Sequence, residues 1–118
     1  MATLSEGSRA ACSFDYHDTT ASRVLKITVE EGKDPGQAMK AYKAHCGAGT
    51  TALPAIGNEA CAVEIKGQTY GEEVIGRVRD QIFTVTITTS TRNDPSMSRD
   101  ALEEKTRNIA EQVAGALF

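Results

Sequence analysis

The chain has 118 residues and a mass of 12.6 kDa, the size of one ordinary domain, and its 40% hydrophobic and 25% charged residues are those of a globular chain rather than a disordered one. Thirteen Lys and Arg against sixteen Asp and Glu leave a net charge of -3, which excludes the basic surplus of a non-specific nucleic-acid binder. No apolar run approaches the roughly 18 residues of a membrane-spanning helix, and the absence of Trp, with three Phe and three Tyr, supplies little for stacking bases or sugars.

Met1 to Ala11 carries no apolar stretch and does not read as a signal peptide; residues 1–10 are expected to be a flexible tail before one domain at 11–118. Cys12, Phe14 and Tyr16 alternate with Ser13, Asp15 and His17, the period of a strand with one buried face. A polar turn at 18–22 leads to a second strand in which Leu25, Ile27 and Val29 point one way and Lys26, Thr28 and Glu30 the other, so the two are expected to form a hairpin. Asp34 caps a helix with Pro35 at its first position, where the missing N–H costs nothing. Ala38, Met39, Ala41, Tyr42 and Cys46 recur at helical spacing, and Gly47 ends the helix. Residues 47–58 form a long connection anchored by Leu53 and Ile56. Its glycines fit neither dinucleotide nor phosphate-loop spacing.

A third strand follows, in which Cys61, Val63 and Ile65 alternate with Ala60, Ala62 and Glu64. Residues 74–79 and 82–88 then read as a hairpin around a two-residue Asp80-Gln81 turn, pairing Val78 with Phe83, Gly76 with Val85 and Val74 with Ile87. Those six share one face under the last helix. The other face carries Ile75, Arg77, Arg79, Ile82, Thr84, Thr86 and Thr88, with Val24, Ala60 and Ala62 on the same side. Residues 90–97 are a polar loop. Ser98 caps the last helix, Asp100 lies in its first turn, and Leu102, Ile109, Val113 and Leu117 make its apolar stripe. The expected fold is α+β: a single, mainly antiparallel five-stranded sheet in the order ββαβββα, with both helices on one face.

No constellation of nucleophile, base and orienting group emerges. Asp15 and His17 share a strand face but are too few for a metal site. His45 and Cys46 are helix neighbours and do not face each other; Lys43 and His45 suit a helix C-terminus. Glu72 and Glu73 point to opposite faces of a strand, so they do not act on one bond. No catalytic, cofactor-binding or metal-binding residue and no cofactor is assigned. The Thr84, Thr86, Thr88 ladder suits a half-exposed strand. With Ile75, Arg77 and Ile82 it makes a candidate face for a protein partner or for a homodimer.

Three cysteines, Cys12, Cys46 and Cys61, allow three single-disulfide pairings, and no Cys-x-x-Cys occurs. The run Cys12-Ser13-Phe14-Asp15-Tyr16, the segment Leu53-Pro54-Ala55-Ile56-Gly57-Asn58-Glu59-Ala60 and the hairpin from Val78 to Val85, in this order before a C-terminal helix, resemble a group of exported bacterial lipoprotein-like domains of unknown function. They are also distantly similar to the extracellular sensor domains of mycobacterial Ser/Thr kinases. The sequence departs from that pattern at Ala55, where Gly is usual, at Asn58, where Asp is usual, and at Gln81, where the hairpin Gly is usual, and it lacks the helix such domains carry before their first strand.

The resemblance implies a non-catalytic exported module and an oxidising compartment. In it Cys12 corresponds to an unpaired core position, whereas Cys46 and Cys61 look like additions. The first helix is expected on the face to which Cys61 points, and the connection between the two cysteines is long enough to bring them together. The expectation is a Cys46–Cys61 disulfide with Cys12 free and buried. The expected function is an exported or envelope-associated interaction domain, periplasmic, cell-envelope or secreted if an N-terminal signal has been removed and otherwise cytoplasmic. The alternative is a small cytoplasmic enzyme or ligand-binding protein with a pocket between helices and sheet.

Overall fold

The structure, a computed structural model, describes residues 9–17, 21–47, 49–91, 94 and 98–118. The expected tail therefore lies outside the described residues except at 9–10, which are strand; the polar turn at 18–20 and most of the loop at 92–97 lie outside them too. The elements run β1 (Arg9–His17), β2 (Ser22–Glu31), α1 (Pro35–His45), β3 (Thr51–Ala52), β4 (Glu59–Ile65), β5 (Tyr70–Val78), β6 (Gln81–Thr89) and α2 (Arg99–Leu117). All strands join one antiparallel sheet in the order β1-β2-β6-β5-β4-β3. The α+β class stands, but the sheet has six strands, not five. The sixth is the two-residue β3, which the 47–58 connection lays along β4.

Both helix starts follow the local chemistry of the sequence. The Asp34 carboxylate accepts the Gln37 backbone N–H at 2.8 Å, and Gln37 Oε1 accepts the Lys33 N–H at 2.6 Å, a reciprocal cap that satisfies two otherwise orphaned donors. Ser98 Oγ accepts the Ala101 N–H. Along α2 the buried line is Leu102, Thr106, Ala110 and Ala114. Ile109, Val113 and Leu117, expected at the centre of the stripe, are half-buried on its flank. Small side chains at the centre let the helix lie close to the sheet, and Thr106 returns its hydroxyl to the Leu102 carbonyl at 2.6 Å.

The helices lie on opposite faces of the sheet, not on one. Under α2, Val74, Val78, Phe83, Val85, Ala60 and Ala62 pack with Ala110 and Ala114. Under α1, Ala38 and Tyr42 pack with Cys61, Ile75 and Ile82. The error in the sequence reading traces to β4, where Ala60, Cys61, Ala62 and Val63 are all small or apolar. An unbroken apolar run does not say which side faces which layer. Cys61 pairs with Ile75 and Ala62 with Val74, so Ala60 and Ala62 lie opposite the Thr84 face rather than on it.

The β5–β6 hairpin is shifted by two residues from expectation. Its turn is Arg79-Asp80, and Val78 pairs with Gln81, Gly76 with Phe83 and Val74 with Val85. A shift of two preserves which side chains share a face, so Phe83, Val85 and Ile87 are buried under α2 as expected. Arg79 adopts φ +57°, and the Asn58 side chain holds its N–H at 2.7 Å. Gly76 sits directly beneath the Phe83 ring; a Cβ there would come within 2.3 Å of Cζ.

Candidate interaction surface

Cys46 and Cys61 form a disulfide with a Cα–Cα separation of 6.0 Å. Cys46 caps the C-terminus of α1 and Cys61 is in the middle of β4, so the bond fastens the end of the helix to the sheet. Lys43 and His45 occupy the last turn, as the dipole favours. Burial, and secondarily the nearby Glu59, push the Tyr42 hydroxyl pKa up.

The six residues singled out for contact do lie on one face, but that face is not open. Ile75 and Ile82 are buried beneath α1. Thr84 is buried and its hydroxyl pairs with that of Thr28 across the strands. Arg77 is half-buried, with Nε 2.7 Å from Glu59 and Nη1 2.8 Å from the Arg79 carbonyl. Thr86 donates to Glu73 at 3.0 Å, and Thr88 is half-buried. Helix and cross-strand bonds occupy most of the groups that a partner would need.

The exposed apolar surface lies instead on the α2 face, at the far end of the sheet. Cys12, Phe14 and Tyr16 point to that face beside Ile27, Leu25 and Arg23, yet Phe14 is 60% and Tyr16 62% exposed. Cys12 is a free, exposed thiol, not the buried one expected. Leu25, Ile27 and Val29 are half-buried, as are Ile109, Val113 and Leu117 of α2. Periodicity assigned these strand residues to the correct side, but a six-stranded sheet spans about five spacings of 4.8 Å, roughly 24 Å, and one helix covers only about 10 Å of it. α2 lies over β5 and β6, so neither helix covers β1. Strand count weighed against helix number was the sequence signal for this.

On the opposite side of β1, Ser13, Asp15 and His17 are exposed. His17 Nδ1 meets Ser22 Oγ at 2.7 Å, a cross-strand pair at the open end of the hairpin. Among the described residues no three His, Cys, Asp or Glu side chains come together as a metal site.

A cleft of about 410 Å³ opens between the start of α2 and the β4–β5 end of the sheet, lined by Glu64, Lys66, Tyr70, Glu72, Arg99 and Leu102 among others. Arg99 bonds Glu64 at 3.0 Å, and Arg107 bonds Glu72 Oε1 at 3.3 Å. Glu72 Oε2 and Arg107 Nε are buried without a hydrogen-bond partner. Burial pushes the Glu72 carboxyl pKa up, against the pull of Arg107. Glu73, its neighbour, points to the other face towards Thr86, so the two carboxylates do not act together.

Among the described residues no helix is long and apolar enough to cross a membrane. No family model matches the chain, and no match is found among the curated proteins or the solved structures.

Proposed function

We propose that this chain is a non-catalytic interaction domain of an oxidising, extracytoplasmic compartment. The observation that carries the reading is the row Cys12, Phe14, Tyr16: two aromatic rings more than half exposed, beside half-buried Leu25 and Ile27, on a stretch of the sheet that neither helix covers. Contiguous apolar surface rich in aromatics is the composition of the centre of a protein interface. The Cys46–Cys61 bond supports the compartment, since structural disulfides persist in oxidising surroundings. The resemblance to exported lipoprotein-like domains points the same way.

A photoreactive phenylalanine at position 14, with a control at exposed Lys40 of α1, tests the surface. The expected result is a discrete protein adduct from position 14 and none from position 40; equal labelling, or none at 14, overturns the reading. Alkylation of intact cells tests the compartment. Cys12 should be modified and Cys46 and Cys61 protected; modification of all three before denaturation overturns it.

The second reading, a small-ligand protein, rests on the cleft at Glu72. Its orphaned carboxylate oxygen is the kind of group that a bound polar ligand satisfies. Its test is a ligand-dependent change in the Glu72 carboxyl resonance with the β1 surface unaffected.

A further inference from the structure

We infer that the Cys46–Cys61 bond makes α1 a redox-held cover. In the oxidised chain the helix lies on Ile75 and Ile82; in the reduced chain it leaves the sheet, while β5, β6 and α2 stay folded. The inference concerns the α1 face and goes beyond the reading of the β1 surface.

The two helices have separate cores on opposite faces of the sheet. α2 has 19 residues and belongs to the larger core. α1 has 11, of which Ala38 and Tyr42 are buried. They rest on Cys61, Ile75 and Ile82, with Ala41, Cys46 and Val63 partly buried beside them. A helix this short is marginal in water on its own and takes its stability from packing. Segments with few buried apolar contacts open locally while the rest of a fold stays closed. Val74, Val78, Phe83 and Val85, which α2 covers, lie on the other side and do not depend on α1.

The two ends of α1 are fastened differently. Before the helix, the Gly32 N–H donates to the Asp80 carbonyl at 2.7 Å, which ties the approach to the β5–β6 turn. The other end is tied covalently, because Cys46 is the C-terminal cap and Cys61 lies in the middle of β4. Beyond Cys46 the chain runs through open space. Gly47 and Gly49 have no described residue other than chain neighbours within 4 Å of where a Cβ would sit. The Thr50 hydroxyl donates back to the Gly47 carbonyl at 2.6 Å, so this turn closes on itself before β3 begins at Thr51. Once the bond opens, the glycines let the end of the helix move without disturbing β3.

Cys46 is half-buried and Cys61 is buried, so an attacking thiolate meets the Cys46 sulfur first. With a dithiol reductant, one thiolate bonds to Cys46 and Cys61 leaves, taking a proton. The second thiolate then closes the reductant's own disulfide, and Cys46 leaves and takes the second proton. Two electrons and two protons pass to the protein. In the chain-entropy model, closing a loop of 15 residues favours the closed form by about a hundredfold, and reduction removes that factor. Release of α1 bares Cys61, Ile75 and Ile82, which the docked helix keeps buried.

The test uses the full chain carrying Cys12→Ser, so that Cys46 and Cys61 are its only cysteines, with and without dithiothreitol. Amide hydrogen exchange is followed residue by residue. In the reduced chain the α1 amides should exchange within about tenfold of an unfolded peptide, while those of β5, β6 and α2 stay protected by at least about a thousandfold. In the oxidised chain the α1 amides should be protected at least about a hundredfold more strongly than in the reduced one. Adding Cys46→Ser and Cys61→Ser should give the reduced pattern with or without dithiothreitol. α1 amides that keep their protection on reduction, or that lose it together with those of α2, overturn the inference. Neither result changes what position 14 labels, so the reading of the β1 surface stands or falls separately.

Discussion

Arg23 and Asp94 lie 71 residues apart in sequence and meet in a two-pronged ion pair, Nε and Nη2 each 2.6 Å from a carboxylate oxygen. The Asp94 side chain is fully buried and that of Arg23 nearly so. Thr89 adds its hydroxyl to the same carboxylate at 2.8 Å, and the guanidinium carbon lies 5.7 Å from the centre of the Tyr16 ring. One carboxylate thereby ties the connection after β6 back to β2 and the end of β1.

Asp94→Ala should destabilise the domain by about 3–5 kcal/mol, because it takes the two-pronged carboxylate away from a buried guanidinium. That is a large part of a total of about 5–15 kcal/mol. Urea unfolding measures it. The double variant Arg23→Met with Asp94→Ala should be the more stable of the two; equal loss in both would show that the charges are not coupled.

Gly76→Ala should cost about 1–3 kcal/mol, the range for overpacking a core. The new methyl meets the fully buried Phe83 ring. Thermal melts of Gly76→Ala with and without Phe83→Leu check the cause: the smaller side chain should make the alanine tolerable.

Ala55→Gly should stabilise the fold by about 1 kcal/mol. Ala55 adopts φ +67°, a left-handed conformation that costs a non-glycine residue about 1–2 kcal/mol, partly offset by the freedom glycine loses on folding. The chemical-denaturation midpoint should rise with an unchanged slope.

The Glu72 carboxyl is held above its ordinary 4.5, chiefly by burial. The folded state therefore keeps this proton better than the unfolded chain does. The stability this group contributes is full below about 4.5 and lost as pH rises through the folded-state value. Glu72→Gln should flatten that part of the pH–stability curve. An unchanged slope in urea titrations across the acid range would refute the assignment.

Breaking the Cys46–Cys61 bond by Cys46→Ser with Cys61→Ser should lower stability by about 3 kcal/mol, the chain-entropy value for a loop of 15 residues. Reductant should produce the same fall in the wild-type chain and none in the double variant.

Local chemistry was legible in the sequence because it needs only neighbours. Asp34 and Ser98 cap their helices, and alternation sorted β1, β2 and β6 into two sides that the observed pairing keeps. The Cys46–Cys61 pairing was expected only with the help of the resemblance, which set Cys12 aside as unpaired, because the facing of the three cysteines alone did not choose among them. Tertiary structure alone decided which layer lies over which side. Alternation marks two faces of a strand but not what covers them, and β4, apolar on both sides, carries no such mark. The hairpin turned one residue early, with Asn58, from another loop, as the partner of the Arg79 N–H. The exposure of Cys12, Phe14 and Tyr16 was likewise hidden: their pattern is that of core residues, and only the width of the sheet against one helix leaves them uncovered.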